Sequence, residues 1–166
     1  MPVCPKLPDI ILLDDFNGAW NEYVEALYNR FKQDFVIKKP TFLGKNVDII
    51  HEKFYQNKER SFWHIISTGG TDDDRLPDME RCEKIGWAKA LILDDGNCSD
   101  YKLWIRYCDK SKRDRYYIMC AENNYLVILE DRNSHFKIIT AYCVEEYMVK
   151  KYLADYARYQ QTKTPT

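Results

Sequence analysis

The sequence has no apolar run approaching the ~18 residues of a membrane-spanning helix. Its first fifteen residues, MPVCPKLPDIILLDD, lack the basic stretch and apolar core of a secretory leader. None of the six cysteines (Cys4, Cys82, Cys98, Cys108, Cys120 and Cys143) forms a CxxC pair or stands at a zinc-type spacing from a histidine. Charge of one sign is missing too, because 25 Lys and Arg face 26 Asp and Glu for a formal net charge of −1. These absences argue against a membrane protein, a disulfide-stapled module, a zinc domain and a protein that coats nucleic acid by bulk charge. The expectation is a cytoplasmic protein with reduced, mostly buried thiols, no metal and no other cofactor.

Aromatic residues are plentiful: 13 Tyr, 7 Phe and 4 Trp in 166 residues supply the apolar area for one core in one domain, residues 1–166. Residues 1–15 read as an irregular lead-in. Phe16, Trp20, Val24, Leu27 and Phe31 share one face of a helix over about 17–33, and Pro40 lies beyond its end. TFLGKNVDII suggests a hairpin around Gly44. SFWHIIS predicts a strand with Phe62, His64 and Ile66 on one face. After the loop TGGTDDD, a helix is expected over 77–85, with Pro77 at its first position and Gly86 as its left-handed stop. WAKALILDD fits either a strand or a continuation of that helix, with the extended reading preferred.

Four strand signals follow, YKLWIRYC, RYYIMCAE, NYLVILED and HFKIITAYCV, joined by short polar connections that favour an antiparallel meander. A last helix over 144–159 puts Met148, Tyr152, Tyr156 and Tyr159 on one face, and 160–166 reads as a frayed tail. The fold class is α+β: a curved antiparallel sheet of about four strands in the C-terminal half, packed by N-terminal helices and a C-terminal helix.

Several residues carry chemistry, each with a plainer alternative. His64 is a proton-transfer candidate or a hydrogen-bonded core residue. His51 and His135 read as exposed. Arg75 and Arg81 could grip phosphate oxygens or form surface ion pairs with the carboxylates around them. Asp72, Asp73 and Asp74 do not read as a metal site, because consecutive side chains point in different directions. Thr140 and Tyr142, two apart on a strand, share a face with Phe136 and Ile138. The connection KSKRDR, with Lys110, Lys112, Arg113 and Arg115, is either a solvated tip or a phosphate-backbone contact.

Together these stretches resemble a phage- and prophage-associated family of the barnase–EndoU–colicin–RelE-like ribonuclease superfamily. That family has a strand-borne histidine, an Arg-x-x-Asp-x-x-Arg-Cys-Glu-Arg-Ile-x-Trp stretch, a Tyr-Leu-Val-Val-Leu strand and a Thr-Ala-Tyr strand. The corresponding pieces here are His64, residues 75–87, residues 125–129 and Thr140-Ala141-Tyr142. The likeness spans about 61–156. Lys84 and Gly86 stand in a helix that is richer in arginine in the family, Ala88 replaces an expected proline, and HFKII is more polar than usual.

The resemblance implies metal-independent cleavage of RNA through 2′-hydroxyl attack, with His64, Arg75, Arg81, Thr140 and Tyr142 as the catalytic set. Lys110, Lys112, Arg113, Arg115 and Trp87 would contact RNA. A role as toxin or effector in phage–host conflict would bring a cognate inhibitor or antitoxin protein as second partner. The alternative is a catalytically inactive RNA- or protein-binding module that keeps the fold.

Overall fold

Alternating aromatic and β-branched residues build the sheet. The computed structural model describes residues 7–69, 71, 74–94, 96 and 100–163, and places the expected meander in strands β5 (Tyr101–Cys108), β6 (Arg113–Cys120), β7 (Tyr125–Asp131) and β8 (Phe136–Cys143). The N-terminal hairpin, β1 (Thr41–Phe42) and β2 (Lys45–Asp48), turns through positive φ at Leu43 and Gly44. It adds to the meander in the order β1-β2-β8-β7-β6-β5. β2 runs parallel to β8, pairing Val47 with Phe136 and Asp48 with Lys137, so the curled sheet is mixed and six-stranded rather than purely antiparallel.

Strand alternation sends side chains to two apolar layers. On one face, Leu103, Ile118, Val127 and Leu129 pack with α1 (Trp20–Lys32) and the helices that follow it. On the other face, Trp104, Met119, Leu126 and Ile128 pack against α5 (Glu146–Lys163) through Met148, Tyr152, Tyr156 and Tyr159. The face expected on the last helix is therefore the one it buries. The helix also continues through Gln160 to Lys163, where a frayed tail was expected. A π-helical turn, Gln33–Ile37, extends α1.

Three local expectations fail between residues 60 and 94. SFWHIIS is not a strand: Arg60–Ile66 forms helix α2, and only Ser67–Thr68 is extended, as β3. Its buried residues are Ser61, Phe62, Ile65 and Ile66, which is a helical repeat rather than an alternation. Leu76–Pro77 forms β4, paired with β3, so the next helix is only Met79–Glu83 (α3), with Asp78 as its N-cap. WAKALILD is helix α4 (Trp87–Asp94), with Ala88, Leu91 and Ile92 buried at helical spacing. Gly86 is not left-handed. A Cβ there would come within 2.9 Å of the Arg30 guanidinium and 3.2 Å of Pro8, so this glycine serves close packing.

Among the described residues, no helix is long and apolar enough to cross a membrane. Cys82, Cys108, Cys120 and Cys143 are free thiols, while Cys4 and Cys98 lie outside the described residues. Burial pushes the Cys82 thiol up to about 12 and that of Cys120 to about 11.

Candidate functional site

Helix α2 stops at Ile66, and its last carbonyls need donors that the helix cannot supply. Ser67 Oγ donates to the Trp63 carbonyl. The Asp78 backbone N–H donates to Ile66 O at 2.8 Å. The Cys82 thiol also donates to Ile66 O, at 3.7 Å, and two arginines complete the set among the described residues. Arg75 Nη2 donates to His64 O at 2.9 Å and to Ser67 O, and its Nε donates to Ser67 Oγ at 3.0 Å. Arg81 Nη1 donates to Ser67 O at 3.1 Å and reaches His64 O at 3.4 Å. A hydrogen bond to a charged group contributes about 1.5–3 kcal/mol, so these arginines fix the end of α2 firmly.

The loop between β3 and β4 brings Arg75 back onto α2. Gly69 allows this, because a Cβ there would lie 2.8 Å from Arg75 Cα and 2.9 Å from Asp74 O. Thr71 Oγ1 donates to Asp74 at 2.9 Å, closing the turn. Asp72 and Asp73 fall outside the described residues. Among the described residues, no group of three or more His, Cys, Asp or Glu side chains converges as a metal site would.

Arg81 is held from below as well. Asp78 Oδ1 accepts its backbone N–H at 3.1 Å as the N-cap of α3. Its Nη1 reaches Thr140 Oγ1 at 3.3 Å, and its guanidinium carbon lies 4.8 Å from the Tyr142 ring centroid. The Tyr142 and Tyr152 hydroxyls are 3.1 Å apart. A bulge makes this geometry. Ile128 pairs with Thr140 and Leu129 with Ile138, leaving Ile139 as an extra residue. Thr140 and Tyr142 therefore leave the face of Phe136 and Ile138, contrary to the alternation expected for an unbroken strand. β2 pairs with β8 only at Phe136 and Lys137, and α2 and α3 also contact β8.

Two cavities flank β3. The first, about 330 Å³, is lined by Thr68, Asp78, Arg81, Tyr142 and the start of α5. Burial pushes the Arg81 pKa below its ordinary value, with Asp78 opposing the shift. All of its side-chain hydrogen bonds to described residues run through Nη1, so Nε and Nη2 donate to none of them. Asp78 is engaged as a cap, and Glu80 pairs with Lys84 at 2.8 Å, which holds its carboxyl below the usual range. The second cavity, about 460 Å³, lies on the Ser67 side and is lined by Trp20, Phe54, Tyr55, Trp63 and Arg75.

Five residues spread over 79 positions, His64, Arg75, Arg81, Thr140 and Tyr142, thus share one connected network. The link to His64 runs through its carbonyl. Its half-buried imidazole is not among the described residues lining either cavity.

The residues expected to hold RNA do not join this network. Lys110 and Lys112 are exposed at the β5–β6 turn. Strand spacing puts that turn roughly 15–20 Å from Thr140. Arg115 is committed to Glu130 at 3.0 Å, and Arg113 is half-buried. Trp87 is a packing residue: its Nε1 donates to Pro8 O at 2.8 Å, and its ring meets Tyr125 edge-on at 5.5 Å. His51 is exposed beside Asp48 at 2.7 Å, and half-buried His135 lies 2.9 Å from Ser134 Oγ.

Sequence reasoning missed Ser67 and Thr68, which separate the cavities, and the aromatic wall of Trp20, Tyr55 and Trp63. The doublets Phe54-Tyr55 and Phe62-Trp63 were a usable signal, since each has one ring too many for a single buried face. No family model, curated protein or solved structure matches the chain.

Proposed function

We propose that this protein is a metal-independent endoribonuclease whose scissile phosphate docks at Arg81. The observation that carries this reading is Arg81 itself. It is a half-buried guanidinium that lines a cavity, faces neutral acceptors through Nη1 and has Nε and Nη2 uncommitted among the described residues. A guanidinium in that state favours an anion with two oxygens at its fork. Asp78, Glu80 and Glu145 line the same cavity against the one cation Arg81 among its described lining residues, so binding would depend on directed N–H donors rather than on bulk field.

In this reading the RNA 2′-hydroxyl attacks the adjacent phosphorus. The new O–P bond forms as the bond to the 5′-oxygen breaks, leaving a 2′,3′-cyclic phosphate and a 5′-hydroxyl. His64 takes the 2′-proton and returns one to the departing oxygen. Arg81 and Arg75 offset the charge growing on the phosphoryl oxygens, while Thr140 and Tyr142 orient the group. The sequence likeness to phage-associated ribonucleases supports the same assignment, with a toxin or effector role in the cytoplasm and a cognate inhibitor as partner.

A second reading, an inactive module that binds RNA or protein, is favoured by the arginine bonds to the α2 carbonyls and by the absence of His64 from the described cavity linings. Incubating the chain with RNA in EDTA separates the two. Cyclic-phosphate ends support the nuclease, and intact RNA at full occupancy supports the module. Cleavage only with added magnesium defeats the mechanism.

A further inference from the structure

The second cavity has a composition that the phosphate site does not explain. Trp20, Tyr55 and Trp63 supply ring surfaces, and the Tyr55 and Trp63 rings lie 5.4 Å apart, edge to face. Large aromatic groups normally hide, yet Phe54 and Tyr55 are 42% and 57% exposed. Asn21 and Gln56 also line the cavity, with exposed side-chain amides that bond to no described residue. Each amide offers a donor and an acceptor, as the edge of a nucleobase does.

The segment carrying Tyr55 is held in shape. Gln56 and Asn57 adopt φ of 54° and 56°, which is uncommon for residues other than glycine. Lys58 N–H donates to Tyr55 O at 3.1 Å, and Trp63 Nε1 donates to the same carbonyl at 2.9 Å. Positive φ at two successive residues suits a tight hairpin turn, closed here by the Lys58 N–H bond and the antiparallel Lys53–Glu59 bridge, and the Trp63 bond ties that turn to the cavity. The volume, about 460 Å³, lies within the range of small-ligand sites.

Continuity with the phosphate site argues for the occupant. Arg75 lines this cavity and also bonds the same Ser67 and His64 carbonyls as Arg81. Ser67 lines this cavity and Thr68 the other, so one two-residue strand separates a charged pocket from an aromatic one. A nucleotide strand presents that pair of chemistries side by side, a phosphate next to a flat base.

We propose that the Trp20–Tyr55–Trp63 cavity is a nucleobase subsite, receiving one base of single-stranded RNA beside the phosphate at Arg81. Its substrate class rests on the ribonuclease reading. The base stacks on the exposed ring of Tyr55, and Asn21 and Gln56 read its hydrogen-bonding edge.

The test uses binding rather than cleavage. Fluorescence anisotropy of the full chain is measured with four labelled 2′-O-methyl homohexanucleotides, which lack the attacking hydroxyl, and with an abasic hexamer of the same charge. At least one base-bearing strand should bind more tightly than the abasic one. Tyr55→Ala, at an exposed position that keeps the fold, should weaken it roughly 5- to 150-fold, whereas Tyr55→Phe should retain it. Gln56→Ala should change the ranking among the four bases. Equal binding of the abasic strand, or an unchanged Tyr55→Ala, overturns the proposal, including the case in which a protein side chain is the true occupant. Base-dependent binding by a chain that never cuts RNA would uphold the subsite and defeat the nuclease reading alone.

Discussion

One pair of arginines in this protein converges on a buried carboxylate and another on backbone carbonyls, and the two are built for different ends. At the β6–β7 ladder, Arg115 and Arg132 meet Glu130, at 3.0 and 2.7 Å, and Glu130 is 1% exposed. Burial alone would raise its pKa, but Ser111 and the two guanidiniums together outweigh that and hold the carboxyl below its ordinary range. At the end of α2, Arg75 and Arg81 meet the carbonyls of His64 and Ser67. Opposite charge completes the first cluster. In the second, the half-buried Arg81 guanidinium meets neutral carbonyls and keeps its net charge, a setting in which a phosphate gains from it.

The contrast can be broken most sharply at His64. The arginines hold its carbonyl, so His64→Ala removes the imidazole and leaves their frame in place. RNA cleavage should fall about 10²–10⁴-fold if the ring transfers the proton. The thermal midpoint should barely move. A folded variant that cuts at the wild-type rate would remove His64 from the mechanism.

The next largest effect belongs to the completed cluster. Glu130→Ala strands two guanidiniums that are about a third exposed, and should cost about 3 kcal/mol in denaturant unfolding, near the lower end for a broken buried pair. Because the folded-state pKa is depressed, the stabilisation is complete above the unfolded value near 4.5 and is lost as the pH falls through the folded value. Glu130→Gln should therefore flatten the acid side of the stability profile. An acid limb as steep as that of wild type would show that Glu130 does not dominate it.

The smallest effect is expected at the distant turn. Replacing Lys110 and Lys112 with alanine should lower the salt slope of RNA binding by at most about 2, without altering which product ends form. An unchanged slope would mark the turn as solvated and uninvolved.

The same contrast explains what the sequence made legible. The meander and α5 read correctly because alternate residues along β5, β6 and β7 enter the two apolar layers, and Trp104 and Leu103 go where period two sends them. The site was less legible because its geometry depends on interruptions. Ile139 bulges and changes the face of Thr140 and Tyr142, which no propensity announces. In FWHIIS the β-branched and aromatic residues suggested a strand, yet packing against α1 and β8 buries Phe62, Ile65 and Ile66 at helical spacing. Tertiary burial overrode local preference there. The residue types of the network were readable from the motif, whereas its wiring, arginine to carbonyl rather than arginine to carboxylate, was not.

One paired measurement tests the account most directly: RNA cleavage in EDTA and thermal unfolding, for Arg81→Ala and Arg115→Ala side by side. Arg81→Ala should lose about 10²–10³-fold in cleavage rate, the scale expected for removing a transition-state donor. It should keep most of its stability, because Arg75 still donates to the same two carbonyls. Arg115→Ala should melt earlier and, where folded, cleave at the wild-type rate. Equal rates for Arg81→Ala and wild type, with only the melting temperature lowered, would make both arginine pairs structural and contradict the account.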